Sequence, residues 1–227
     1  MECPRKQEAT RRAAAPPLVT VTSGDVALEG ALELPAECTG VVLFAHGSGS
    51  SRHSPRNNFV AQRLRAARLG TLLIDLLTPG EDADYETRFD IELLTNRLSD
   101  AARFLQRQER TSKLPIGLFG ASTGAAAALQ VAAVMPRAIG AVVSRGGRPD
   151  LAGVVSLRGV RAPTLLIVGG HDHGVIELNQ SAYAALVCIK ELAIVPGATH
   201  LFEERGALEE AARLAAAWFS RHLERGT

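Results

Sequence analysis

The sequence predicts an α/β fold in which a mainly parallel sheet carries helices on both faces. From about residue 18 onward, short and continuously apolar runs alternate with longer amphipathic or alanine-rich segments. Such alternation is typical of a parallel sheet whose strands are buried on both faces. The chain has 227 residues, a length that α/β folds often fill as one domain. We therefore expect a single domain over residues 18–227.

Eight extended segments are predicted. The first two are β-rich runs separated by a short Ser-Gly-Asp turn, and we expect them to pair antiparallel. The six that follow are short apolar runs of the kind found in buried parallel strands. In chain order the eight segments are Leu18–Thr22, Val26–Leu34, Val41–Ala45, Leu72–Asp75, Ile116–Phe119, Ile139–Ser144, Thr164–Val168 and Leu192–Val195.

Five helices are predicted between and after these strands. The longest is amphipathic, because Leu94, Leu98 and Leu105 fall on one stripe at helical spacing. The connection between Ser144 and Pro163 is short, so no large cap domain is expected. The predicted helices are Phe59–Leu69, Thr87–Gln108, Ala125–Val134, Val175–Val187 and Ala207–His222.

Composition argues against several classes of function. The net charge is +1 and aromatic residues make up 4%, so neither a basic surface nor a stacking platform for nucleic acid is indicated. No apolar run has the length of a membrane span. The chain has three cysteines, an odd number, and they are widely spaced at Cys3, Cys38 and Cys188. This favours a reduced, cytoplasmic protein. Residues 1–17 are charged and lack the apolar stretch of a secretory signal, and they predict a disordered N-terminal arm.

A G-x-S-x-G pattern marks the candidate nucleophile. Residues 120–124 have the sequence Gly-Ala-Ser-Thr-Gly, directly after an apolar strand and before an alanine-rich helix. In that context the pattern forms a sharp turn that exposes the serine hydroxyl above the strand ends, near a helix N-terminus. We predict that Ser122 is the nucleophile. The alternative is a Gly/Ser turn that merely begins a helix.

His200 and Asp172 are the predicted base and acid. A serine hydroxyl needs a neighbouring base, and on this kind of sheet the acid and then the base follow the nucleophile along the chain. His200 lies in a loop after the last strand, whereas His222 falls on a helix face and His173 is too close to Asp172. Asp172 directly follows a predicted strand. Asp150, which follows the preceding strand, is the alternative acid, and otherwise a helix cap.

The loop after the third strand is predicted to supply part of an oxyanion hole. A tetrahedral intermediate needs two backbone N–H groups aimed at its oxygen. We expect one from Thr123, the residue after the nucleophile, and the other from Ser48, with Gly47 as the next choice. His46 begins this Gly/Ser-rich loop, and we expect it to brace the loop rather than to act as the base. The alternative is a flexible loop without this role.

Three further side chains are candidate substrate contacts, namely His46, Arg145 and His173. Arg145 and Arg148 follow a strand that ends near the predicted site, where they are able to clamp a substrate carboxylate; salt bridging within their loop is the alternative. The triplet at residues 171–173 does not predict a metal site, because adjacent ligands on an extended loop diverge and no second cluster is visible.

These motifs resemble the dienelactone hydrolase-like family of α/β-hydrolases. The likeness covers nearly the whole chain from about residue 18 and implies the α/β-hydrolase fold and a hydrolase without metal or organic cofactor. Some relatives are joined to a phosphoribosyltransferase domain, which is not expected here. The segments that carry the resemblance are HGSGSSRHSPRN, LLTPGEDADYETRFDIELL, GLFGASTGAAAAL, VVSRGGRPDLAG, PTLLIVGGHDHGVIELN and VPGATHLFEE.

The turn that carries the candidate nucleophile departs from the family in one respect. Dienelactone hydrolases proper carry a cysteine nucleophile, whereas this chain has Ser122, and Cys188 lies too far along the chain to replace it. A serine triad favours hydrolysis of small or accessible carboxylic esters through an acyl-enzyme. The alternatives are a thioesterase, an acyltransferase or a lactone hydrolase with the same triad, or a non-catalytic ligand-binding protein. We expect no nucleic-acid or membrane partner, and a homodimer is one option.

Overall fold

The computed structural model describes residues 17–223 and contains one eight-stranded sheet. Apart from its last residue, the predicted disordered arm at residues 1–17 lies outside the described residues, as does Cys3. All eight predicted strands are present within a few residues of their expected ends. They are β1 (Leu18–Ser23), β2 (Val26–Glu33), β3 (Gly40–Ala45), β4 (Leu69–Ile74), β5 (Ile116–Ala121), β6 (Ile139–Arg145), β7 (Thr164–Gly169) and β8 (Lys190–Val195).

Seven α-helices connect and follow these strands in the described range. They are α1 (Pro55–Ala66), α2 (Pro79–Ala83), α3 (Ile91–Arg107), α4 (Thr123–Val134), α5 (Val154–Gly159), α6 (His173–Ala185) and α7 (Ala207–His222). Short 3-10 turns lie at Thr87–Phe89 and Pro149–Ala152. None of the helices between residues 17 and 223 combines the length and the apolar character needed to cross a bilayer.

The strands are arranged in the order β1-β2-β4-β3-β5-β6-β7-β8. The first two pairings, β1 with β2 and β2 with β4, are antiparallel. Every pairing from β4 to β8 is parallel. The predicted mainly parallel sheet is therefore confirmed. Because parallel strands end at the same edge, the loops after β3, β5, β6, β7 and β8 meet there, with β5 between β3 and β6.

Two hydrophobic layers enclose the sheet. On one face α3 and α4 pack through Leu94, Leu98 and Leu129, all buried. On the other face α1 and α7 pack through Leu64 and Phe219. The four alanines at positions 125–128 are fully buried, and their small size lets α4 lie close to β5. The helix that follows the predicted nucleophile is thus held against the sheet along its first turns.

Both predicted ends of the first helix were wrong. The helix predicted at Phe59–Leu69 begins at Pro55, where the Ser54 hydroxyl caps it by accepting the Asn57 N–H at 3.3 Å. It ends before Arg68, whose φ of 63° is left-handed, so that Leu69 already belongs to β4. A left-handed residue ends a helix as a C-terminal cap does.

The helix predicted at Thr87–Gln108 is divided at Asp90. The Asp90 carboxylate caps α3 by accepting the Leu93 N–H at 2.9 Å, and the residues before it form a 3-10 turn. The short helices α2 and α5 were not predicted. Between β6 and β7 the described chain contains only a 3-10 turn and α5, in agreement with the expected absence of a large cap domain.

Candidate active site

Ser122 sits on a strained turn between β5 and α4. Its φ of 51° and ψ of −124° are outside the regions that a serine normally adopts. The flanking positions require glycine because a side chain at either one would clash with neighbouring backbone atoms. A Cβ on Gly120 would lie 2.7 Å from the Ala125 nitrogen, and a Cβ on Gly124 would meet the Ala45 carbonyl oxygen. Only this pattern of small residues lets the turn approach β3 and α4 so closely.

The turn places Ser122 on the wall of a pocket of about 250 Å³ at the carboxyl edge of the sheet. Gly47 and Ser48 from the loop after β3, Arg145 from the end of β6 and His200 from the loop after β8 line the same pocket. Four separate stretches of chain thus converge on one cavity. Three of these stretches carry the predicted nucleophile, base and oxyanion donors, and the fourth carries Arg145, a predicted substrate contact.

The imidazole of His200 is paired with the carboxylate of Asp172. His200 Nδ1 lies 2.7 Å from Asp172 Oδ2. An ionised carboxylate accepts but does not donate, so this geometry puts the ring proton on Nδ1 and leaves Nε2 free to act as a base. The Asp172 side chain is 16% exposed and that of His200 39%, so the carboxylate is the shielded member of the pair.

The loops that carry these two groups are joined backbone to backbone. The His171 N–H donates to the Ala198 carbonyl at 2.9 Å, and the Gly170 N–H donates to the Val195 carbonyl at 2.8 Å. A Cβ on Gly169 would lie 2.6 Å from the Thr199 carbonyl oxygen, so a glycine is needed where the loops touch. This contact brings Asp172 and His200 together.

A second set of hydrogen bonds holds the base loop, which is the loop after β8 that carries His200. The sequence did not indicate these bonds. The Glu204 carboxylate accepts hydrogen bonds from the Thr199 N–H at 3.0 Å and from the Thr199 hydroxyl at 2.5 Å. These bonds hold the pKa of Glu204 below its ordinary value. Phe202, fully buried, has a left-handed φ of 57°, which bends the loop around His200. No residue pattern in the sequence marks the contact between Glu204 and Thr199.

Ser122 and His200 are not joined by a hydrogen bond anywhere in the described part of the chain. Both nevertheless line the one pocket. Nucleophile–base contacts are often long without substrate and shorten when it binds. The Ser122–His200 contact therefore remains a prediction.

The predicted oxyanion donors are adjacent to Ser122, but one of them is engaged. A Cβ on Gly47 would lie 2.9 Å from the Ser122 Cβ, so this loop packs directly on the nucleophile. Thr123 is the first residue of α4, and its N–H has no acceptor within the helix. The Ser48 N–H, in contrast, donates to the Thr123 hydroxyl at 3.0 Å. Ser48 must exchange this partner for a substrate oxygen if it is to act as predicted.

His46 supports this loop from below and does not line the pocket. Its ring is buried, with Nδ1 3.0 Å from the Gly47 carbonyl oxygen and Nε2 2.9 Å from the Leu76 nitrogen. The Leu76 N–H can only donate, so Nε2 accepts it and Nδ1 carries the proton. Arg97 in turn donates to the Leu76 carbonyl at 2.9 Å. The ring therefore provides the expected brace of the loop, whereas the substrate contact proposed for His46 stays a prediction.

The neutral state of His46 predicts a pH-dependent stability. Burial holds its pKa below the ordinary value of 6.5. As the pH falls through about 6.5, the His46 imidazole is therefore protonated in the unfolded chain before it is protonated in the folded chain. The stability from neutral His46 is present above that pH and is lost as the pH falls, by at most about 1.4 kcal/mol per pH unit.

Chemical denaturation at pH 7, 6 and 5 measures this loss. We expect the variant His46→Gln, which keeps an acceptor for the Leu76 N–H, to lose less stability between pH 7 and pH 5 than the unsubstituted protein. His53→Gln, at an exposed histidine of the same loop, is the matched control. Equal slopes for all three proteins would contradict the prediction.

The remaining candidates lie away from the pocket. His173 begins α6 and is exposed, and it is not among the residues that line the cavity. The Arg148 guanidinium binds the Asp150 carboxylate through two hydrogen bonds of 2.9 and 2.7 Å. The alternative acid is thus occupied by an arginine, and the loop salt bridge proposed for Arg148 is present. The substrate contact expected of His173 stays a prediction, since His173 does not line this pocket.

Comparison with known proteins gives matches over most of the chain. A dienelactone hydrolase from Anabaena variabilis, of known crystal structure, is 54% identical, with 91% of this chain and 97% of that chain covered and a TM-score of 0.88. A serine hydrolase without a lid from Xanthomonas campestris is 20% identical, with coverages of 93% and 96% and a TM-score of 0.75. At that identity the second likeness concerns the fold alone.

Curated relatives are longer than this chain. Proteins from two Mycobacterium tuberculosis strains, whose names place them provisionally among the phosphoribosyl transferases, are 57% identical over 216 residues. That match covers 93% of this chain and 48% of theirs, so the chain spans about half of their length. No protein-family model matches the chain.

Proposed function

Because the chain belongs to the dienelactone hydrolase family of α/β-hydrolases, we propose that it is a serine hydrolase that cleaves carboxylic esters through an acyl-enzyme. Ser122, His200 and Asp172 form its catalytic triad. The observation that carries the proposal is the 2.7 Å contact between His200 Nδ1 and Asp172 Oδ2, beside a strained Ser122 in the same pocket.

Each proposed step uses a group on the pocket wall. The Ser122 hydroxyl oxygen attacks the ester carbonyl while His200 Nε2 takes its proton. Asp172 holds the imidazole in the reactive tautomer and stabilises the imidazolium that forms. The N–H groups of Thr123 and Ser48 donate to the oxyanion. His200 then returns the proton to the departing alcohol, and a water molecule attacks the acyl-enzyme in the same way to release the acid.

The Thr123 hydroxyl has a part in this scheme. It accepts the Ser48 N–H at 3.0 Å, so that donor is already aimed at the nucleophile turn. The developing oxyanion is a stronger acceptor than a neutral hydroxyl, and we propose that it takes the Ser48 N–H from Thr123 as charge builds. The second donor then contributes more in the transition state than in the ground state, which is the condition for catalysis.

Lactones are a second candidate substrate class. The Anabaena variabilis relative, 54% identical, is named a dienelactone hydrolase, and a lactone is a cyclic ester that the same steps would open. The serine at position 122 favours ordinary esters over the family's namesake substrate. For the part of the curated relatives that this chain matches, we propose hydrolysis rather than phosphoribosyl transfer, since a nucleophile, base and carboxylate suit acyl chemistry.

Covalent labelling with a fluorophosphonate tests the proposal. This probe phosphonylates a serine only when a neighbouring base activates it. We expect stoichiometric labelling, with the modified peptide containing Ser122, and no labelling of Ser122→Ala. Ser54→Ala, at another serine of the same pocket, is the control and should be labelled normally. A protein that hydrolyses no ester and takes no label would be a binding protein, and labelling at another serine would refute the assignment.

A further inference from the structure

Arg145 carries a buried charge that no carboxylate in the described part of the chain balances. The residue is 7% exposed, and its Nε and Nη1 atoms have neither solvent contact nor a hydrogen-bond partner. Across residues 17–223, no acidic group lies within ion-pair distance of its guanidinium. A buried charge without a partner is costly, and proteins normally avoid it.

Other shielded arginines of this protein have partners. Arg97 is 4% exposed and binds both Glu81 oxygens at 2.6 Å. Arg52 pairs with Asp75 and, at 2.5 Å, with Glu29. Arg145 therefore departs from the pattern that the same fold follows elsewhere, which points to a partner outside the described residues.

The guanidinium of Arg145 keeps its positive charge in these surroundings. Burial lowers its pKa to about 10, with a further contribution from Arg56, so it stays protonated at neutral pH. The guanidinium lies 5.6 Å from the centre of the Phe202 ring, a cation–π contact that compensates part of the lost hydration. Arg56 also lines the pocket and is paired with Glu203 at 3.0 Å. Among the described residues that line the pocket, Arg145 is thus the arginine whose charge is not balanced by a carboxylate.

The position of Arg145 connects this charge with the reaction. Arg145 ends β6 and lies in register with Ala121 of β5. Its carbonyl accepts the Ser122 N–H at 3.4 Å. The next residue, Gly146, approaches the base loop so closely that a Cβ there would lie 3.1 Å from the His200 carbonyl oxygen. The backbone of this segment therefore contacts both the candidate nucleophile and the loop of the candidate base, and Arg145 lines the same pocket as Ser122 and His200.

We propose that Arg145 is an anion-binding residue of this pocket and that the substrate carries a carboxylate or phosphate group close to its scissile carbonyl. A guanidinium presents a planar fork of N–H donors that matches both groups. The substrate's charge would supply the missing partner of Arg145 and would orient the carbonyl towards Ser122. The substrate class rests on the proposed ester hydrolysis, whereas anion binding itself does not.

Thermal unfolding with added anions tests the binding site without any assay of activity. A ligand that binds the folded state raises the Tm. At ionic strength matched with sodium chloride, we expect succinate, inorganic phosphate or both to raise the Tm by at least about 2 °C. The rise should be absent in Arg145→Met and retained in Arg148→Met, whose residue belongs to the same loop but is paired with Asp150.

The two anions distinguish the two sources. A rise with succinate alone identifies a carboxylate, and a rise with phosphate alone identifies a phosphate. An equal rise in Arg145→Met, or no rise with either anion in the unsubstituted protein, would overturn the proposal. This result does not depend on whether Ser122 is a nucleophile, so it separates a failed anion site from a failed hydrolase assignment.

Substrate preference gives the second measurement. We compare kcat/KM for para-nitrophenyl hydrogen succinate and the corresponding phosphonopropionate with that for para-nitrophenyl butyrate, which is neutral. At least one anionic ester should be preferred over the neutral one, and Arg145→Met should lower that ratio roughly 10- to 100-fold. The ratio cancels any general damage to the variant. If the variant does not fold, the unsubstituted protein still decides, because a preference for the neutral ester would overturn the proposal.

Discussion

Replacing Asp172 by asparagine should lower kcat for ester hydrolysis about 10,000-fold. The carboxylate accepts the proton of His200 Nδ1 at 2.7 Å. An asparagine can present an amide donor to Nδ1 instead, which would move the ring proton to Nε2, where the base must be free. The side chain is nearly unchanged in size, so the fold should be kept. Steady-state kinetics on a para-nitrophenyl ester, with Tm as a check on folding, measure the effect.

The matched control is Asp150→Asn. Asp150 is the alternative acid of the sequence analysis, and its carboxylate is bound to Arg148 by hydrogen bonds of 2.9 and 2.7 Å. We expect this variant to retain kcat within about threefold, since a partly exposed ion pair contributes little and Asp150 does not line the pocket. The reverse result, a large loss at Asp150 and a small one at Asp172, would transfer the acid's role to Asp150.

Replacing Gly124 by alanine should destabilise the protein by about 3 kcal/mol or more. The added Cβ would lie 2.5 Å from the His46 carbonyl oxygen and would also meet the Ala45 carbonyl. These are backbone atoms at the end of a central strand, so they have no rotamer with which to move aside. Relief requires α4 to shift away from β3, which would also displace Ser122. We expect the Tm to fall by about 6–12 °C, together with activity.

Gly80→Ala is the control for this substitution. Gly80 lies in α2, and nothing lies within 4 Å of the position that its Cβ would take. Alanine is the better helix former by roughly 1 kcal/mol, so this variant should be as stable as the unsubstituted protein or slightly more so. A Gly124→Ala variant with an unchanged Tm would mean that the nucleophile turn is not packed as tightly as the structure indicates.

The two variants separate chemistry from architecture. Asp172→Asn should reduce kcat while the Tm stays nearly constant, because it changes a proton's location and little else. Gly124→Ala should reduce the Tm and kcat together, because the nucleophile turn and the sheet share the same contact. Loss of activity without loss of stability at Gly124 would place its role in the reaction rather than in the packing.

The local hydrophobic pattern of the sequence predicted most of the fold. The central strands β3 to β7 are short, mainly apolar runs, and burial on both faces of a parallel sheet demands such runs. The same reasoning was less reliable at helix ends. Arg68 ends α1 through a left-handed φ of 63°, and Asp90 divides a continuous amphipathic pattern by capping α3. Both features are local in the chain, but neither changes the hydrophobic period on which the predictions rested.

By itself the sequence determined the sheet and named Ser122, Asp172 and His200 as residues to be examined. These properties follow from composition and order along the chain, because strand ends and a glycine-flanked turn are set by near neighbours. Only the tertiary structure decided that His46 turns both ring nitrogens to backbone groups, that the Ser48 N–H is held by Thr123, and that Arg145 has no acidic partner among residues 17–223. A hydrogen bond or an unpaired charge depends on which distant segments meet, and that is known only after the chain has folded.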